Sequence, residues 1–133
     1  MLLVKTYLET STLENAGLGC FADEDIKAGQ LIWKYDDHID RKFTHEEYKQ
    51  LSPIQRQFVD KYAYMHNGTL YLCVDNGRFF NHSNYPNTYE SAEEQATYAS
   101  REIKAGEEIF SDYTTFGITQ QDLNHNFNPF DEN

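Results

Sequence analysis

The chain is short of cysteine, of basic residues and of long apolar runs, and each shortage removes a class of protein. It has two cysteines, Cys20 and Cys73, too few and too far apart for a zinc cluster or a disulfide scaffold. Each lies between apolar neighbours, Gly19-Cys20-Phe21 and Leu72-Cys73-Val74, which predicts buried free thiols on strands. Eleven Lys and Arg stand against 22 Asp and Glu, a net charge of −11. That balance argues against gripping a phosphate backbone, so no direct nucleic-acid binding is expected. It suits attraction of a basic protein or peptide. The opening Met1-Leu2-Leu3-Val4-Lys5 lacks the apolar core of a signal peptide, and no stretch approaches membrane-spanning length. A cytoplasmic location without membrane attachment is the expectation, and oligomeric state is left open.

Aromatic residues are plentiful, with ten Tyr, nine Phe and one Trp. Most suit a β core, but tyrosines can also line a narrow, half-wet channel. At 133 residues one domain is expected, burying roughly two-thirds of its unfolded surface. Residues 2–8 alternate as a first strand, the turn 15–19 leads into a strand over Cys20–Ala22, and another runs over Gln30–Tyr35. Thr44-His45-Glu46-Glu47 and Ser52-Pro53-Ile54-Gln55 have capping-box spacing, so two short helices are predicted over about 44–65. Ile54, Phe58 and Tyr62 recur at four-residue steps as one apolar helix face reaching about Tyr64. A strand over Leu70–Val74 follows. The segment 21–32 matches the segment 98–109 at six of twelve positions, each reading as strand, tight turn, strand. Two such units around a helical insert predict a folded-over, pseudo-symmetric β architecture.

Two segments hold the chemistry. Arg78-Phe79-Phe80-Asn81-His82-Ser83-Asn84-Tyr85-Pro86-Asn87 begins apolar and ends in a dense set of hydrogen-bonding turn residues. By composition alone it is a well-bonded loop. It resembles, at all seven specified positions, the Arg-Phe-x-Asn-His-Ser-x-x-Pro-Asn motif of SET-domain protein-lysine methyltransferases. Gly106-Glu107-Glu108-Ile109-Phe110-Ser111-Asp112-Tyr113 resembles that family's second signature, and Gly17-Leu18-Gly19 its N-terminal Gly-x-Gly. The resemblance covers about residues 3–116 and is greatest to the short stand-alone members of bacteria and viruses.

It implies a mainly β SET-domain (β-clip) fold of short twisted sheets, with a pseudoknot near the C-terminus and a small helical insert. The domain would span 1–118, with 119–133 as a tail that could close the lysine channel. The implied cofactor is S-adenosylmethionine, without metal, and the implied reaction is methyl transfer to the ε-amino group of a lysine in a protein substrate. Gly17, Leu18, Gly19, Arg78, Phe79, Asn81, His82 and Tyr113 would hold the cofactor. Tyr113 matches the catalytic position, and Tyr35, Ser111 and Phe116 would line the lysine channel, with Phe127 and Phe130 as further aromatic candidates for its wall. Ser111 stands where many members carry Phe or Tyr, so its small side chain predicts a site that does not stop sterically at monomethylation.

The zinc-binding cysteine clusters that often flank the domain are absent. A rival of another class is a SET-like module that binds a partner, with or without cofactor, and transfers nothing. Asp122-x-Asn124-x-Asn126-x-Asn128 alternates like a calcium loop, but Phe127 replaces its glycine and Asn133 its glutamate. The five histidines show no ligand spacing.

Overall fold

A computed structural model describes residues 1–116, and the calls on 119–133, including Phe127 and Phe130, lie outside the described residues. The described residues make ten short strands, in four small sheets, and two α-helices. β1 (Thr6–Thr10) and β2 (Leu18–Ala22) form an antiparallel hairpin. The expected strand over 2–8 is split: Leu2 bridges Trp33 and the Leu3 N–H reaches the Ile32 carbonyl, whereas pairing with β2 begins only at Thr6. β3 (Leu31–Lys34) pairs with β9 (Ala96–Ala99), which pairs in turn with β8 (Thr88–Ser91).

The helical insert is larger than the helices that announce it. β4 (Arg41–Phe43), β6 (Thr69–Leu72) and β5 (Ala63–His66) form a three-stranded antiparallel sheet beside α1 (His45–Lys49) and α2 (Pro53–Tyr62). Both capping boxes form: Thr44 and Ser52 accept from the N3 amides, and Glu47 and Gln55 reach back to the caps. Phe43, Tyr48, Val59, Leu70 and Leu72 bury one another as a second core, separate from the main one.

The structure corrects the end of the second helix and adds what its apolar face meets. α2 ends at Tyr62, because from Ala63 the backbone is extended and pairs with β6. Of the apolar Ile54–Phe58–Tyr62 face, only Tyr62 packs against the second core. Ile54 is 79% exposed and Phe58 42%, while Val59 points inward. In a ten-residue helix one buried Val fixes the rotation, and the stripe turns towards Arg78, whose guanidinium lies 5.5 Å from the Phe58 ring.

The internal repeat is real in three dimensions. Its copies pair with each other: Phe21 opposite Glu108, Ile26 opposite Ile103, and Leu31 opposite Tyr98. Alignment of the copies equates Phe21 with Tyr98, Ile26 with Ile103 and Leu31 with Glu108. Exchanging them therefore maps the outer pairs onto each other and the Ile26–Ile103 pair onto itself. That is an approximate two-fold axis, closed by reciprocal bonds of 2.7 and 2.9 Å between those two isoleucines, both fully buried. Gly29 and Gly106, at φ of +81° and +93°, make the equivalent turns that only glycine takes without strain.

Around this clasp sits the main core of Val4, Cys20, Ala22, Ile26, Ile32, Trp33, Cys73, Phe80, Ala99, Ile103 and Ile109. Cys20 and Cys73 are buried free thiols as expected, and burial pushes Cys20 up to about 12. Among the described residues no helix is long and apolar enough to cross a membrane.

Candidate cofactor cleft

The two sequence signatures meet. β7 (Asn81–His82) and β10 (Phe110–Ser111) form a two-residue parallel ladder, the contact that the expected knot-like arrangement requires. Asn87, 1% exposed, clamps it: its amide donates to the Glu108 carbonyl at 2.8 Å and its Oδ1 accepts from the Phe110 N–H at 2.8 Å. A buried Asn with both ends satisfied fixes one register where so short a ladder would slip.

The same crossing positions the Gly-x-Gly hairpin. The Glu108 carboxylate, on a residue 5% exposed, accepts from the Ser11 hydroxyl, the Thr12 N–H, the Thr12 hydroxyl and the Asn81 amide, at 2.7, 2.7, 2.7 and 3.1 Å. Burial alone would raise Glu108, but the Thr12, Ser11 and Asn81 donors outweigh it and hold the carboxyl below its ordinary value. Gly19 leaves the space for this peg, since a Cβ there would fall 2.4 Å from a Glu108 oxygen. So Gly19 serves the hairpin's seat, and Gly17 and Leu18 serve the surface.

That surface is one wall of a cleft of about 320 Å³, lined by Ala16, Gly17, Leu18, Lys61, Tyr62, Arg78, Phe79, Asn81 and Tyr113. Its size falls within the range of roughly 300–1,000 Å³ typical of small-molecule sites. Asn81 donates one amide hydrogen to the Leu18 carbonyl at 3.0 Å and the other to Glu108, so its Oδ1 remains to meet a ligand's donor. The Arg78 guanidinium packs 5.1–5.5 Å from the rings of Phe79, Tyr62 and Phe58.

Tyr113 begins a 3-10 turn (Tyr113–Phe116), and its hydroxyl donates to the Phe80 carbonyl. Burial, then the nearby Glu90 charge and Tyr62, push its phenol up to about 12, so it is neutral over the physiological range. The Tyr113 N–H donates to His82 Nδ1 at 3.0 Å, which requires that nitrogen to be unprotonated. Nε2 then carries the hydrogen and meets Asn84 Oδ1 at 3.2 Å. His82 stands behind the cleft, holding Tyr113, and is not a lining residue.

Of the residues expected at the cofactor, the cleft brings together Gly17, Leu18, Arg78, Phe79, Asn81 and Tyr113. The expected channel residues lie elsewhere. Tyr35 packs edge-on against Tyr71 at 4.8 Å, in a cluster where Tyr71 also stacks on Tyr64 at 5.5 Å. Burial, with Asp37 and Asp40 nearby, pushes Tyr35 up to about 12. Ser111 is buried with its hydroxyl on Glu90. The Phe116 side chain lies outside the described residues. Sequence reasoning missed Lys61 and Tyr62, taken as part of a helix; the four-residue stripe marked Tyr62 only as part of an apolar helix face. It also missed Glu108, present in the second signature without a role.

The SET domain family model matches residues 17–114. The chain belongs to the SET domain family. A candidate histone methyltransferase of Plasmodium falciparum is 27% identical over 84% of this chain and 95% of that one, with a TM-score of 0.60. Polycomb Repressive Complex 2 of Chaetomium thermophilum bound to the inhibitor GSK126 is 24% identical over 85% of this SET chain, with a TM-score of 0.66. The same complex in an autoinhibited conformation bound to S-adenosylmethionine gives 24% and 0.66. These two likenesses show the fold, and the chain spans only 15–16% of those much longer proteins. No curated protein sequence matches the chain.

The donor set fits the cofactor of this family. Arg78 and Lys61 suit a carboxylate, the Asn81 oxygen suits an ammonium, and the Tyr62 and Phe79 rings suit an adenine or a sulfonium face. Among the described residues no group of His, Cys, Asp and Glu has the arrangement of a metal site.

Proposed function

We propose that this protein transfers a methyl group from S-adenosylmethionine to the ε-amino group of a lysine in a protein substrate. The observation that carries the reading is the convergence, at one cleft, of the Gly17-Leu18 main chain, Asn81 and a Tyr113 whose hydroxyl hydrogen is already committed to Phe80. Bound there, the cofactor supplies an electrophilic methyl on a positively charged sulfur. Gly17, Leu18 and Asn81 hold and orient it, Arg78 and Lys61 neutralise its carboxylate, and Tyr62 and Phe79 keep water from it.

Tyr113 is a fixed neutral phenol. With its hydrogen directed to the Phe80 carbonyl, its oxygen presents lone pairs to the amine and to the polarised methyl. That is positioning and electrostatics, not proton abstraction, and alignment can contribute about 7–11 kcal/mol in favourable cases. The amine must lose its proton before it attacks, which desolvation beside the aromatic walls favours. The net charge of −11 favours a basic protein as substrate, and we place the reaction in the cytoplasm.

Isothermal titration with S-adenosylmethionine, then tritiated-methyl transfer to a pool of basic proteins, tests the reading. Binding with transfer upholds it. Tight binding without transfer favours the partner-binding module, and no binding at all defeats methyl transfer.

A further inference from the structure

Strand β8 carries a carboxylate that methyl transfer as described leaves unused. Glu90 Oε1 accepts from the Ser111 hydroxyl at 2.5 Å and lies 3.5 Å from the Thr88 hydroxyl. Glu90 Oε2 is buried and has no hydrogen-bond partner among the described residues. Folded proteins leave few buried acceptors in that condition, and each calls for a water, a proton, an ion or a functional partner.

Its position says which ligand. Ser111 ends β10 and Tyr113 follows two residues later, while the Thr88 hydroxyl ties β8 to the Phe110 carbonyl at 2.7 Å. The carboxylate is therefore fixed to the strand that delivers Tyr113. It is also near enough for its charge to help hold the Tyr113 phenol up. Burial raises Glu90 itself, with the Asp112 charge adding to the effect and the Ser111 hydroxyl, the Thr88 hydroxyl and the Asp112 main chain opposing it. A cation arriving beside Oε2 would reverse that cost.

We propose that Glu90 receives the substrate's amino group: Oε2 accepts an N–H of the target lysine, and the enzyme thereby favours unmodified lysine over dimethyl-lysine. An unmodified ammonium offers three N–H donors and a dimethylated one offers a single donor, so each methyl added lowers the chance of a well-aligned bond. Selection among methylation states then rests on a hydrogen bond, where the small Ser111 imposes no steric stop. The inference rests on the methyl-transfer reading.

Glu90→Gln tests it, because glutamine keeps the Ser111 bond and removes the charge. A methylated lysine is first identified by incubating the unsubstituted protein with a basic-protein pool. Synthetic peptides spanning that lysine with zero, one or two methyl groups are then compared. For the unmodified peptide, kcat/KM should fall about tenfold to a hundredfold, as expected for losing a hydrogen bond to a charged group. For the dimethyl peptide the fall should be about threefold or less. S-adenosylmethionine affinity, measured by titration, should stay unchanged, because Glu90 does not line the cofactor cleft. Equal losses for all three peptides, or none, overturn the inference and leave methyl transfer standing. No transfer by the unsubstituted protein overturns both.

Discussion

Glu107 and Glu108 are neighbours in one signature, and the structure predicts opposite consequences for losing them. Glu108→Ala removes an acceptor shared by four donors. Thr12 is exposed, so its N–H and hydroxyl recover water, but Ser11 is buried and Asn81 is half-buried in the cleft wall. Two charge-assisted bonds at about 1.5–3 kcal/mol each, less the relief of desolvating a carboxylate, leave a cost of about 3 kcal/mol. For a chain of this size that lowers the Tm by roughly 10 °C. Among the described residues the Glu107 side chain holds only an exposed ion pair with Arg101 at 3.0 Å, so Glu107→Ala should cost under about 0.5 kcal/mol.

The pH dependence has a definite sign. Because the folded Glu108 carboxyl lies below its ordinary value, its contribution is complete above the unfolded value of about 4.3 and is lost as pH falls through the folded one. Calorimetry should therefore show the full gap between the unsubstituted protein and Glu108→Ala near neutrality, and a narrowing gap in acid. The same substitution should weaken S-adenosylmethionine binding, since Asn81 loses one of its two anchors. Equal melting of the two alanine variants would refute the reasoning, and so would a gap that does not change with pH.

Tyr113→Phe should lower kcat by about a hundredfold while moving the cofactor Kd by roughly threefold or less, as for a donor-acceptor group acting at the reacting atoms; equal losses would make Tyr113 a binding element. Because burial keeps the phenol neutral up to about 12, the transfer rate should rise with pH as the lysine deprotonates, with no descending limb near an ordinary tyrosine value of about 10. A fall there in a pH-rate profile would show the phenol ionising. Ile54→Lys should change stability by about 0.5 kcal/mol or less, because that side chain is solvent-exposed, whereas Leu70→Ala in the second core should cost about 2–5 kcal/mol; urea denaturation of the pair separates the two.

Where residues act locally, the sequence made them visible. Thr44, Ser52 and the glycines at 29 and 106 set caps and turns through their own chemistry, and all four do so in the fold. The two signatures were legible as text, and their order implied a meeting. What stayed hidden depends on partners distant in the chain. Nothing near Glu90 announces that its carboxylate meets Ser111, and Glu108 looks like its exposed neighbour until Ser11 and Asn81 arrive from either side. The α2 stripe told only part of the story for a related reason: periodicity finds an apolar face but not what the face meets, and here Arg78 lies beside it.

The pairing of the two repeat copies also bears on how the protein reaches its working state. Ile26 and Ile103 close against each other across most of the chain, with the whole insert between them. Contacts so distant in sequence make for slow folding, because the entropy of closing the loop is lost before the ladder returns anything. The insert, with its own core and neighbouring strands, can order early. The cofactor cleft cannot, for Leu18, Asn81 and Tyr113 come together only when the distant ends are clasped. Competence to bind cofactor should thus be the last property acquired in refolding, and cofactor added to a refolding chain should slow its unfolding more than it speeds its folding.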